Sequence, residues 1–139
     1  MNYFLDTSAV VAILRNRPGA VRDRLRRANS RGGTISISTV VLFELWYGVG
    51  RSSRFAENAE LVRTFLAGNV NVVPLEEEDA VTAAEIRLAL ERAGTPIGSY
   101  DLLIAAQALR HRATLVTANE KEFARVEDLS WKNWAADPG

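Results

Sequence analysis

Apolar positions along the chain change period repeatedly, and each change marks an element. Tyr3-Phe4-Leu5 is a short apolar run that ends at Asp6-Thr7-Ser8, which predicts a strand followed by a helix over Ala9–Leu14. Pro18-Gly19 breaks that helix, and Ala20–Asn29 reads as a basic helix stopped by Arg31-Gly32-Gly33. Thr34–Ser38 alternates at period two with β-branched residues, as a strand does. Thr39–Gly48 and Arg54–Leu66 follow as helices, then a strand at Val70–Val73 closed by Pro74. Glu76–Arg92 is expected to be a long helix with Val81, Ala84, Ile86, Leu88 and Leu90 inward, ended by Gly94 and Pro96. Ser99–Arg112, with Ser99 as its N-cap, is nearly continuously apolar and belongs in the middle of the fold. Thr114–Thr117 is the next strand, and Leu129, Trp131 and Trp134 suggest a weak last one.

The resulting order, βααβααβααβ with a final β, predicts an α/β/α three-layer α/β fold. Its central sheet has four to five mostly parallel strands, because right-handed crossovers lay successive strands side by side in one direction. In such sheets chemistry gathers beyond the carboxyl ends of the strands.

Composition narrows the classes. The chain has 139 residues, 47% hydrophobic and 24% charged, with nine Gly, four Pro and no Cys. At this size folding hides roughly 65–70% of the extended chain's surface, enough for one core, so residues 1–139 are expected to form a single domain. Lack of Cys excludes disulfide scaffolds, thiol nucleophiles and Cys-based zinc or iron–sulfur sites, and the one His, His111, excludes His-rich metal clusters. His111 falls late in a helix and reads as ordinary structure. No apolar run is long enough to span a membrane, and Met1–Asp6 does not read as a signal peptide; a soluble, cytoplasmic protein is expected.

Acidic and basic residues balance at 17 each, but unevenly along the chain. Arg15, Arg17, Arg22, Arg24, Arg26, Arg27 and Arg31 lie close together with Asp23 as their only acid, either a solvated helix face or a phosphate-binding surface. Glu76–Asp79 is an acidic run. Four further acidic positions fit their surroundings poorly. Asp6 ends the first strand, where it could equally cap the next helix. Glu44 has Val40, Val41, Tyr47 and Gly48 as its helical neighbours, so its carboxylate lies on an apolar stripe and needs a cation or a proton; a distant Arg could supply the former. Asp101 opens the apolar helix in line with Ile104 and Ala105, although the helix dipole alone would favour an acid there. Asn119 and Glu122 have capping-box spacing after the fourth strand. All can face one sheet edge. Clustered carboxylates repel and require protons or a divalent cation, and an oxygen-only set suits Mg²⁺ or Mn²⁺ better than Zn²⁺.

The runs Phe4-Leu5-Asp6-Thr7-Ser8, Phe43-Glu44-Leu45-Trp46-Tyr47-Gly48, Pro96 through Ala108, and Leu115-Val116-Thr117-Ala118-Asn119 with Glu122-Phe123 resemble the PIN domain, and within it the VapC toxins of bacterial toxin–antitoxin pairs. The resemblance covers nearly the whole chain. It implies a Mg²⁺- or Mn²⁺-dependent endoribonuclease with Asp6, Glu44, Asp101 and Glu122 as catalytic, metal-holding acids and Thr7, Thr117 and Asn119 in support. Many relatives carry Asp where this chain has Asn119, so the fourth carboxylate is assigned to Glu122. Metal-activated water attack would leave 3′-hydroxyl and 5′-phosphate ends. The implied partners are an RNA, with tRNA among the candidates, a VapB-like antitoxin and a second copy of the chain. Arg15 through Arg27 would then follow the RNA backbone. The helix around Glu44, apolar on its whole circumference, is either buried within the fold or covered by another chain.

Two other classes compete. A non-catalytic PIN-like module would bind RNA or a partner only. A receiver-like phosphoacceptor would need an acid pair after the first strand and a Lys after the last core strand; Asp6 is single and Lys121 lies three residues too far on. Dinucleotide binding lacks the Gly-x-Gly-x-x-Gly fingerprint, and DNA binding by the Arg-rich helix leaves the inward carboxylates unexplained.

Overall fold

A computed structural model describes residues 1–136; residues 137–139, which the expected single domain includes, lie outside the described residues. The elements are β1 (Asn2–Leu5), α1 (Thr7–Arg15), α2 (Gly19–Ser30), β2 (Thr34–Ser38), α3 (Thr39–Gly50) and α4 (Phe55–Ala67). They continue with β3 (Asn71–Val73), α5 (Glu77–Arg92), α6 (Ser99–Arg110), β4 (Thr114–Val116), a single turn α7 (Glu120–Phe123) and β5 (Trp131–Lys132). The five strands form one sheet in the order β3-β2-β1-β4-β5, and every neighbouring pair is parallel. The chain thus builds outward from β1 through β2 to β3, then returns to lay β4 against the other side of β1. The carboxyl ends of β1 and β4 therefore flank the point where the winding reverses, which opens a crevice in sheets of this kind.

Phe4, Leu5, Ile35, Ile37, Leu115 and Val116 form the buried strand core, and Ile104, Ala105, Ala106 and Ala108 bring α6 onto it. Small residues let α6 lie close to the sheet, as its nearly continuous apolar run requires. Its N-cap is Gly98, without a side-chain cap bond, and Ser99 is already helical, which corrects the expected cap. The His111 ring stacks on Phe4 with centroids 5.2 Å apart, a packing role at the C-terminal end of α6.

Helix α5 corrects the inward set. Ile86 packs against the core and Leu90 is buried, but Val81 and Leu88 are more than half exposed and Ala84 is exposed. The buried stripe runs through Asp79, Ala83, Ile86 and Leu90, at spacings of four, three and four. Asp79, from the acidic run, is fully buried because the Arg110 guanidinium of α6 binds both its oxygens at 2.6 and 3.1 Å. It also accepts the Glu76 amide in a capping box. Burial pushes the Asp79 carboxyl up, but Arg110 and the Glu76 amide outweigh it and hold its pKa below the ordinary value.

Candidate active site

Asp6 directly follows β1 and is 4% exposed. It is the N-cap of α1, accepting the Ala9 amide at 2.9 Å, so its capping role is real. Capping occupies only part of one oxygen. Ser8 Oγ donates to Oδ1 at 2.6 Å, and Thr117 Oγ1, arriving from the end of β4, donates to Oδ2. Each hydroxyl accepts a backbone amide in turn: Ala118 N–H donates to Ser8 at 3.0 Å, and Asn119 N–H donates to Thr117 at 2.9 Å. A hydroxyl that accepts an amide turns its single proton the other way. Asp6 therefore receives donors on both oxygens and is dressed to carry charge. Burial nevertheless raises its pKa, opposed by these donors and assisted by the negative charge of Glu44.

Glu44 lies on α3, half-buried, with Oε1 accepting Thr7 Oγ1 at 2.6 Å. No Arg or Lys pairs with it among the described residues, so the alternative of a distant Arg is not realised and a hydroxyl is its partner; Arg51 lies over the Tyr47 ring. Helix α3 is not covered all round. Val41, Leu45 and Val49 are buried, whereas Phe43 and Tyr47 are more than half exposed.

Asp101, in the first turn of α6, faces Glu122 on α7. Burial first, then the hydrogen bond and charge of Glu122, then Asp6 and Glu44, raise its pKa to about 7. Glu122 moves the opposite way, held down by its hydrogen bond with Asp101, the Asn119 amide group and the Gly98 amide against burial. The two carboxyls titrate as a pair and share one proton between them. Asn119 does not form the expected capping box: its Nδ2 donates to Glu122 at 2.6 Å and Asp101 at 3.4 Å, tying the two acids together.

Four acidic side chains thus meet beyond the carboxyl ends of β1 and β4, and Asp101 senses the other three. Ser8 is a site residue to which the sequence alone gave no role. A hydroxyl two residues after an acid at a strand end was the available signal. Among the described residues no three acidic or imidazole side chains form a ready cage for a metal ion. Hydrogen bonds explain this, because Asp6 Oδ1 spends both lone pairs on Ser8 and Ala9. Oδ2, bound by Thr117 alone, keeps one, and Glu44 Oε1 holds a single hydroxyl. Free oxygen lone pairs, combined with a carboxyl that retains its proton to about pH 7 because negative charge crowds it, fit a hard divalent cation.

The basic residues divide. Arg15 lines a groove with Thr7 and Glu44. Arg22 donates to the Ile13 carbonyl and Arg26 pairs with Asp23 at 3.6 Å, while Arg24 and Arg27 line a separate pocket.

The model of the PIN domain matches residues 3–129. The chain belongs to the PIN-domain family. Among PIN-domain relatives, it is 37% identical over 134 residues to Ribonuclease VapC2 of Rickettsia felis, covering 96% of this chain and 98% of that protein. It is 32% identical to the tRNA(fMet)-specific endonuclease VapC of Shigella flexneri, covering 97% and 99%. The crystal structure of VapBC2 from Rickettsia felis bound to a DNA fragment from their promoter contains a chain that superposes with a TM-score of 0.89 at 36% identity, over 96% of this chain and 99% of that one. No helix among the described residues is long and apolar enough to cross a membrane.

Proposed function

We propose that this chain is an endoribonuclease toxin of the VapC kind, restrained by a VapB-like antitoxin, with Asp6, Glu44, Asp101 and Glu122 as its catalytic acids. The curated relatives carry ribonuclease and tRNA(fMet) endonuclease names at nearly full length, which supports an RNA substrate and makes tRNA the first candidate. The observation that carries the reading is the convergence of Asp6, Glu44, Asp101 and Glu122 on one crevice beyond β1 and β4, where burial and the neighbouring acids raise the pKa of Asp101. Gathering such groups at one crevice is costly without a cationic occupant.

Asp6, Glu44 and Asp101, with Glu122 behind, would hold Mg²⁺ or Mn²⁺, which when bound activates water and offsets charge on the phosphate. The chain's own residues do the positioning. Ser8, Thr117 and the Ala9 amide hold Asp6 in a single orientation with its remaining lone pair free, and Thr7 does the same for Glu44. Asn119 keeps Glu122 beside Asp101, so a proton displaced from Asp101 leaves a neighbour able to accept one. A second copy of the chain is proposed to cover the exposed Phe43, Tyr47 and Tyr100 cluster, whose Phe43 and Tyr100 rings meet edge-on at 5.6 Å.

The test is Asp6→Asn in purified, antitoxin-free protein, with RNA cleavage followed on gels and folding by circular dichroism. Cleavage should require Mg²⁺ or Mn²⁺ and be abolished in the variant, whose spectrum stays native. Wild-type protein that binds RNA but never cuts it, with either ion present, would instead identify the binding-only module.

A further inference from the structure

A pocket of about 290 Å³ opens away from the acidic crevice, lined by Tyr3, Arg24, Arg27, Arg31, Lys132 and Trp134 among others. Alternation along β1 turns Tyr3 to the sheet face opposite Phe4, the face that α2 covers. Among the described residues no acidic side chain lines this pocket. Among the described residues Arg27, Arg31 and Lys132 form no ion pair, whereas Arg26, on the same helix, pairs with Asp23 and Arg22 serves the Ile13 carbonyl. In a chain whose charges balance at 17 each, these three cations face one concavity with no acidic lining residue among the described ones.

The walls are fixed. Gly33 lets the α2–β2 turn close over Tyr3, since a Cβ there would lie 2.9 Å from the Ala28 carbonyl and 3.4 Å from the Tyr3 ring. Trp134 is 5% exposed and packs edge-on against Tyr3 at 5.3 Å. The cations are thus borne on rigid elements around an aromatic floor.

We propose that this pocket is a second RNA contact, a subsite that seats a backbone phosphate among Arg27, Arg31 and Lys132, with Tyr3 and Trp134 beneath the attached nucleoside. It rests on the ribonuclease reading for the identity of the polymer. Planar guanidinium forks match phosphate oxygens in pairs, and an aromatic floor beside them suits a nucleotide better than a carboxylate-bearing peptide. Position agrees. Lys132 pairs with Val116, which pairs with Leu5, the residue before Asp6. Two strand spacings, roughly 10 Å, therefore separate Lys132, at the pocket's rim, from Leu5, while Met1, Tyr3 and Gly33 carry the rest of the pocket toward the amino ends of the strands, so an RNA that touches both sites passes around the edge of the sheet.

The experiment measures single-stranded RNA binding by fluorescence anisotropy across a salt series, using full-length protein carrying Asp6→Asn. Adding Arg27→Gln, Arg31→Gln and Lys132→Gln should weaken binding at least about tenfold at low salt. It should also flatten the slope of log K against log salt by about 0.7, the share of the one phosphate no longer neutralised. Arg54→Gln, Arg63→Gln and Arg87→Gln remove the same charge from ion-paired surface positions and should flatten it much less. Should the triple variant unfold, Arg31→Gln and Lys132→Gln singly carry the comparison. Equal weakening in both sets, or unchanged affinity and slope, would overturn the subsite. So would intact RNA binding alongside abolished binding of a polyglutamate probe, which would point to an acidic protein. Pocket-dependent binding by a chain whose wild type never cleaves would sustain the subsite and remove the nuclease; cleavage with pocket-independent binding would do the reverse.

Discussion

Asp6 takes donors from Ser8, Ala9 and Thr117, and the two hydroxyls are held in that role by backbone amides. Thr117→Val keeps the shape and removes both functions, leaving Asp6 short of a donor and the Asn119 amide without its acceptor. It should destabilise the protein by about 1–3 kcal/mol and lower cleavage about 10–100-fold, as read by denaturant titration and initial rates. Asp101 makes a pH prediction. The folded chain keeps its proton to about pH 7, whereas an unfolded chain releases it near the ordinary 3.8. The folded state thus binds the extra proton throughout that window, so stability falls as pH rises through it and levels off above. Glu122 contributes with the opposite sign, losing its share as pH falls below its ordinary 4.5. Without divalent ions the melting temperature should therefore fall between about pH 5 and 7. Saturating Mn²⁺ should flatten that fall, and calorimetry in buffers of different ionisation enthalpy should record protons released on binding. The individual acids were legible because each sat where an apolar residue or plain cap was expected. The proton shared by Asp101 and Glu122 was not, since it depends on spacing between α6 and α7 that no local pattern encodes.

At the scale of elements, strands and helix order could be read because period-two and helical stretches alternate cleanly between Gly and Pro stops. Helix α5 was misread where an ion pair took the place of apolar contact. Asp79 occupies the buried stripe, which displaces Val81, Ala84 and Leu88 outward, and nothing near Asp79 in sequence announces Arg110, 31 residues on. Arg110→Met should lower the denaturant midpoint at neutral pH. The drop should shrink as acid protonates the Asp79 carboxyl, which then no longer needs a cation. The α2–β2 turn offers a steric counterpart: Gly33→Ala drives a Cβ to 2.9 Å from a backbone carbonyl. It should cost about 1–3 kcal/mol, measured by denaturant titration.

Across the whole molecule, the parallel sheet followed from the alternation of elements, but the order β3-β2-β1-β4-β5 rests on long-range pairing. That order is what brings Asp6 and Thr117 together, and it also separates Arg15, at the Glu44 groove, from Arg27 in the basic pocket. A second copy over the exposed aromatic cluster predicts that Phe43→Glu with Tyr47→Glu halves the particle mass seen by light scattering while leaving the circular dichroism spectrum unchanged.

The Thr117–Asp6 bond joins residues 111 apart. During synthesis, which proceeds from the amino end, β1, α3 and most helices emerge before the strand that completes the crevice. A nascent or truncated chain ending between α6 and Thr114 has Asp6 and Glu44 but neither the Thr117 hydroxyl nor the Asn119–Glu122 clasp. The proposed site is therefore incomplete until the chain has been made past Glu122, a delay written into the topology itself.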